Sequence, residues 1–366
     1  MRHRDRLDLQ GAILSDGPAG RRLRLGVLTF HRCVNYGSYW QARCLVDGLR
    51  RMGHEVVVLD HHDARIVRRE WACALQPQLP LRSAQSDRRR HAAKVRGFAR
   101  AQAQLPLSAP FPLTGAPQEP LDAVIVGADE VWNPSHPWYG GAGLFWGERL
   151  EAVPLVAHAV SCGNHDAPFP ADRAARLGRF ASIAVRDVTT RARVHEATGT
   201  SPPLVLDPCL QFPPEPASPL RRAPYALVYG HDFPDWAGLA AREWAGQRGL
   251  QLLSIGYRNA FADCQWLEAN PGGFASAVAG AAAVITTMFH GTVFALNARL
   301  PFAVIPSDYR ATKLTDLAGL LGAERHLVRT PDALPTALAE PPGADVIGAI
   351  AAMRASSHAT LRHALV

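Results

Sequence analysis

The sequence predicts an α/β protein of two lobes facing each other across a cleft, each lobe a parallel sheet covered by helices on both faces. Three observations predict it. Short β-rich runs alternate with longer helical runs through both halves of the chain. At 366 residues the chain exceeds what one hydrophobic core usually organises. A proline-punctuated stretch at 213–224 separates the halves and reads as a hinge.

Residues 1–22 are polar and aperiodic, a lead-in without the apolar centre of a signal peptide. The run at 23–30 reads as a first strand, and 39–52 carries helical spacing through Trp40, Cys44, Leu45, Leu49 and Met52. Gly53 closes that helix, and 55–59 is a second strand, giving one βαβ unit. Between 61 and 120 the pattern weakens into a helical insert with loops. Strands at 121–126, 154–160, 182–185 and 203–206, with helices at 172–180 and 189–198, complete a first lobe spanning 23–212. The second lobe, 225–366, restarts the alternation with strands at 225–230, 251–255, 283–286 and 302–305. Helices are expected there at 235–246, 272–281 and after His290.

Composition excludes several classes. No apolar run spans a bilayer, and even 274–296 is interrupted by Thr286, Thr287, His290 and Gly291. The net charge of +7 rests on 39 basic and 32 acidic residues, and every basic residue except Lys94 and Lys313 is Arg. That bias reads as compositional, and without a stripe of interleaved aromatics it does not indicate nucleic acid. The Arg88–Arg100 cluster reads as a solvated helix face or as a contact for an anionic partner. Six Cys without paired spacing argue against zinc and disulfide scaffolds and for a reducing cytosol. No metal is indicated by ligand spacing, His61-His62-Asp63 being the only compact cluster, although Mg²⁺ arriving with substrate phosphates is compatible with the sequence.

Ligands of doubly wound sheets sit at the carboxyl ends of strands. The polar turns at those ends are Asn35-Tyr36-Gly37, Gly127-Ala128-Asp129, Ser161-Cys162-Gly163-Asn164 and His290-Gly291-Thr292, and they are expected to converge. The first is neither a dinucleotide fingerprint nor a phosphate-binding P-loop. Gly37 leaves backbone N–H groups exposed at a helix start, which suits an anion, and Asn35 can donate to a phosphate or carboxylate; Asn35 and Ser38 can equally be helix caps. His290 can exchange a proton near neutral pH, or be structural, and Thr292 can bind or cap. Arg32, Arg186 and Lys313 are candidate anion clamps, against the alternative of solvated charges. Asp129 can orient a hydroxyl or pair with Arg, Glu130 can face the cleft or solvent, and Asp207 reads as a turn residue. Trp132, Trp138 and Trp146 can stack on a sugar, cover the sheet end or meet a second copy of the chain.

The ordered set of these pieces resembles the polysaccharide pyruvyl transferase superfamily. The matching residues are Gly26 to His31 with Asn35-Tyr36-Gly37 and Gln41; Asp122 to Asp129 with Val131-Trp132-Asn133; Ala159 to Gly163; Val185-Arg186-Asp187; Asp207-Pro208; and Phe289 to Ala295 with Pro301-Phe302. The resemblance implies a fold like that of the GT-B glycosyltransferases. It also implies transfer of a pyruvyl group from phosphoenolpyruvate, as co-substrate, to a saccharide or glycoside hydroxyl. His290 and Asp129 would then be catalytic, and Asn35, Gly37, Arg32, Arg186, Ser161, Thr292, Arg310 and Lys313 would bind substrate. The sequence departs from the Arg-x-His pattern of ketal-forming members, because Met288 stands two residues before His290. Arg32, Arg310 or Lys313 would have to replace that Arg. The same departure leaves open a glycosyltransferase using a nucleotide sugar, or a binder that keeps the fold without catalysis.

Overall fold

A computed structural model describes residues 21–77, 83–307 and 310–366. The expected lead-in therefore lies outside the described residues except for its last two positions, as do positions 78–82 of the expected insert.

The first lobe carries strands β1 (Arg24–Leu28), β2 (Glu55–Val58), β5 (Ala123–Val126), β6 (Leu155–Val160) and β7 (Phe180–Val185) in the order β2-β1-β5-β6-β7. Two short strands of the insert, β3 (His61–His62) and β4 (Phe111–Pro112), pair beside it. The second lobe carries β8 (Tyr225–Tyr229), β9 (Gln251–Ile255), β10 (Cys264–Trp266), β11 (Ala283–Thr286) and β12 (Phe302–Val304) in the order β10-β9-β8-β11-β12. Every pairing is parallel. Strands β5, β6, β8 and β11 are buried at every position, as covering on both faces requires.

The topology fixes where a ligand can sit. In the first sheet the chain moves outward from β1 to β2, then returns to add β5, β6 and β7 on the other side. The second sheet repeats the device, with β9 and β10 on one side of β8 and β11 and β12 on the other. Each sheet thus has one switch point, between β1 and β5 and between β8 and β11, where the outgoing loops part and leave a crevice.

Several expected elements differ in detail. The first helix runs Tyr36–Arg51 and starts early because Asn35 Oδ1 accepts from the N–H groups of Gly37 and Ser38 at 2.8 and 3.3 Å. The run at 203–206 makes a single bridge, Val185 to Leu204, because prolines at 202 and 203 remove ladder donors. The helix expected at 172–180 breaks into Ala171–Ala174 and a 3₁₀ turn at Leu177–Arg179. Trp132 and Trp146 stack inside the first lobe with ring centroids 5.2 Å apart, so they cover the sheet end.

The lobes are joined by packing as well as by the hinge. Tyr36 stacks on Phe274 at 4.6 Å, and its hydroxyl donates to the Ala269 carbonyl at 2.7 Å. The Arg-rich part of the insert is the helix Arg88–Gln102, and it is a strap across the lobes rather than a solvated face. Arg90 pairs with Glu268 at 2.7 Å, Asp87 at its start takes a bidentate bond from Arg258, and buried Lys94 donates to the Gly256 carbonyl at 3.1 Å. Burial lowers the Lys94 pKa to about 8. The C-terminal helix, Ala344–Ala364, returns to the first lobe, where Ser357 Oγ accepts from Leu206 N at 2.9 Å and Arg354 Nε donates to the Leu210 carbonyl at 2.9 Å. Tyr36→Phe leaves the Ala269 carbonyl unpaired, and we expect it to lower unfolding free energy by about 1–2 kcal/mol. Denaturant titration of the two proteins checks this, and equal midpoints with equal slopes would contradict it.

Candidate active site at the lobe interface

A cavity of about 180 Å³ opens where the two switch points face each other. Asn35 and Ser38 reach it from beyond β1, Asp129 and Glu130 from beyond β5, Tyr229 from the end of β8, and Met288, Phe289 and His290 from beyond β11. Arg186, Tyr257, Arg310 and Lys313 complete the lining.

His290 lies in the first turn of the helix Phe289–Ala298 and is buried. Its imidazole presses on Gly37 of the opposite lobe so closely that a Cβ built at Gly37 would overlap Nδ1, Cε1 and Cγ. Gly37 is therefore glycine to admit the ring. On the other side, His290 Nε2 lies 3.5 Å from Asp207 Oδ2. Burial raises the Asp207 pKa, but the neighbouring His290 and Arg186 outweigh it and hold the carboxyl well below the usual range. Asp207 accepts from Arg186 Nη1 at 2.9 Å and from its own helix at Cys209 N, also 2.9 Å. Arg186 places Nη2 3.6 Å from Asp129 and its guanidinium 4.9 Å from the Phe289 ring centroid. At 3.5 Å Nε2 makes no hydrogen bond to Asp207, so the carboxylate acts on the ring as a nearby negative charge, and packing on Gly37 fixes the ring's position.

Asp129 adopts a left-handed backbone conformation, φ 74°. Its carboxylate accepts from Ser38 Oγ at 2.8 Å and from Glu130 N at 2.9 Å. Glu130 turns inward and pairs with Lys313 of the other lobe. Burial opposes ionisation of Glu130, yet Lys313 and Asn133 pull its pKa down to about 2. Arg310 donates to Ser307 Oγ at 3.2 Å and to His231 Nε2 at 2.9 Å. No side chain caps the helix Phe289–Ala298, so its first-turn N–H groups add positive potential to the cavity wall.

Three of the four expected turns converge on the cavity, through Asn35, Asp129 and His290. The fourth stands behind it: Ser161 N donates to the Asp129 carbonyl at 2.9 Å, Ser161 Oγ accepts from Gly163 N at 3.0 Å, and Gly163 abuts Glu130. Thr292 donates within its helix to the Met288 carbonyl at 3.3 Å and does not line the cavity. Arg32 is committed elsewhere, bidentate on Asp60 at 2.6 Å for each bond, where His31 also binds at 2.8 Å. Of the three candidate replacements for the missing Arg, Arg310 and Lys313 reach the cleft and Arg32 does not.

The sequence reading missed Tyr229 and Tyr257 and took Asp207 for a turn residue, and of the two orientations it left open for Glu130 the structure has the inward one. Asp207 begins a short helix, and its reach toward His290 depends on how the lobes meet. Among the described residues, Asp207, Cys209 and His290 bring three potential metal ligands within 4.8 Å of one another. That set fits a cation poorly, because Arg186 already holds Asp207 and burial keeps the Cys209 thiol protonated. His61-His62-Asp63 is dispersed, with His61 Nε2 on the Thr29 carbonyl at 2.9 Å and Asp63 capping the next helix.

Two parallel-sheet lobes that share a polar cleft at paired switch points define a GT-B-like fold. The sequence matches the polysaccharide pyruvyl transferase family model over residues 35–309, and the chain belongs to that family and is a transferase. No curated protein matches it. Among solved structures, UDP-GlcNAc 2-epimerase from Neisseria meningitidis bound to UDP-GlcNAc is similar at TM-score 0.50 and 9% identity, covering 93% of this chain and 99% of that one. The calicheamicin glycosyltransferase gives TM-score 0.42 at 16% identity, covering 94% and 97%. These likenesses are of fold.

Gly37→Ala forces the His290 ring to move and should cost about 1–3 kcal/mol. In a His290→Ala background the same change should be neutral or slightly stabilising, since alanine favours the helix. A double-mutant cycle by denaturant unfolding checks the contact; equal effects of Gly37→Ala in both backgrounds would refute it.

Proposed function

We propose that this transferase moves the pyruvyl group of phosphoenolpyruvate onto a saccharide or glycoside acceptor in the interlobe cavity. The observation that carries the reading is that His290, with Asp207 3.5 Å behind its Nε2, lines a cavity also lined by Asp129, Arg310 and Lys313. In this reading His290 delivers a proton to C3 of the enol, which leaves C2 electron-poor. An acceptor hydroxyl held by Asp129 bonds to C2 as its proton passes to the Asp129 carboxylate. Phosphate departs toward the cations with the C2–O electron pair and takes that proton, and a second hydroxyl bonds to C2 as its proton returns to His290, which closes the ketal. Lys313, Arg310 and the N-terminus of the helix Phe289–Ala298 meet the donor's carboxylate and phosphate in place of the Arg that Met288 displaces. Asn35 lines the donor side after capping its own helix. No further cofactor enters this reading, and Mg²⁺ can accompany the phosphate. The free cysteines and a polar acceptor suit a cytoplasmic location. Among the described residues no helix is long and apolar enough to cross a membrane.

Incubation with phosphoenolpyruvate and a glycan panel should release phosphate, and His290→Gln should lower that rate by about 10²–10⁴-fold. Asp207→Asn should lower kcat more than it changes KM, because it acts through the ring. Protection from thermal unfolding by a nucleoside diphosphate but not by phosphoenolpyruvate would overturn the donor assignment and favour a nucleotide-sugar glycosyltransferase, the reading Met288 motivates.

A further inference from the structure

We propose that His231 is a positioning residue that holds the Arg310 guanidinium at the cleft as the clamp for an anionic ligand, and does so only as the neutral Nδ1–H tautomer. The inference rests on the reading that the cavity receives an anionic donor.

His231 follows β8, on the second-lobe side of the switch point. Its Nδ1 is 2.6 Å from Asp232 Oδ2, and its Nε2 is 2.9 Å from Arg310 Nη2. An ionised carboxylate only accepts and a guanidinium only donates, so a neutral ring satisfies both contacts in one way, with the proton on Nδ1 and the lone pair on Nε2. The ring is fixed from several sides. Its centroid lies 4.9 Å from that of Tyr257, Thr287 Oγ1 donates to the His231 carbonyl at 2.8 Å, and Asp232 takes a left-handed backbone conformation, φ 59°. Arg310 precedes the helix Ala311–Leu321, and Ser307 Oγ takes its Nη1 at 3.2 Å while Asp232 lies 3.9 Å from the same atom.

The charged groups facing His231 are Arg310 from the loop before that helix, Asp232 on its own loop and Lys94 from the strap helix. Burial lowers its pKa first, Arg310 and Lys94 lower it further, and Asp232 opposes them, with a net result below the ordinary histidine value. The sign follows: the ring is neutral at neutral pH and takes a proton only in acid. A proton on Nε2 would face the Arg310 N–H groups with a donor and a like charge, and the guanidinium would lose its hold.

Calorimetric dissociation constants for phosphoenolpyruvate, inorganic phosphate and UDP, measured between about pH 5.5 and pH 8, test this in the full chain. Arg310→Ala should weaken whichever of these anions the wild type binds by about tenfold or more, and His231→Ala should follow it. His231→Gln keeps an acceptor near Nε2 and should stay within about threefold of wild type. The ratio of wild-type to His231→Gln affinity should fall on acidification, a comparison in which the ligand's own titration cancels. Equal binding by His231→Ala and wild type beside a weakened Arg310→Ala would overturn the inference. So would a ratio that rises on acidification, or His231→Gln as weak as His231→Ala at an unchanged melting temperature. Binding of UDP but not phosphoenolpyruvate would remove the pyruvyl donor and leave the clamp to be judged on UDP by the same comparisons. Binding of none of the three would overturn the clamp itself.

Discussion

The imidazole of His290 is the point at which two separately built sheets become one site. It rests on Gly37 from the first lobe and faces Asp207 from the same lobe, while its helix belongs to the second. Its position is thus defined by how the lobes meet. The aromatic packing of Tyr36 on Phe274, one residue from Gly37, holds that meeting in register. The strap helix and the returning C-terminal helix brace the same interface from outside.

The interface is also where charge is concentrated and buried. Asp207 and Asp129 share Arg186, and Glu130 is matched by Lys313, so each buried carboxylate has a cation beside it. Such pairs contribute little net stability, because desolvation offsets most of their attraction. Their value lies in specification, since a misaligned pair of lobes would leave several buried charges unmatched. Arg310 reaches the same cavity from the loop before the helix Ala311–Leu321, with His231 Nε2 at 2.9 Å and Asp232 at 3.9 Å.

Much of the fold was legible because buried parallel strands are short, apolar and spaced by amphipathic helices, and 121–126 and 283–286 could be read directly. The edge strand β10 was not, because Cys264-Gln265-Trp266 carries neither the alternation nor the apolar run of a strand. At the site, turns after strands were legible through glycine and polar residues, which located Asn35, Asp129 and His290. Asp207 and His231 were hidden because their roles arise from partners 83 and 79 positions away, at His290 and Arg310. Arg32 misled because local sequence cannot show that Asp60 already binds it. One unused signal was present: in a chain that uses Arg almost everywhere, its only two lysines, Lys94 and Lys313, are both buried between the lobes.

A crystal structure of the protein soaked with phosphoenolpyruvate tests the central claim most directly. The account predicts an anion in the interlobe cavity, with phosphate or carboxylate oxygens within about 3 Å of Arg310, Lys313 or the first-turn N–H groups of the helix Phe289–Ala298. The enol carbon should then face the His290 ring. Density for the ligand in the surface groove formed by Asp63, Arg65, Arg69 and Trp138, with the interlobe cavity empty, would contradict it.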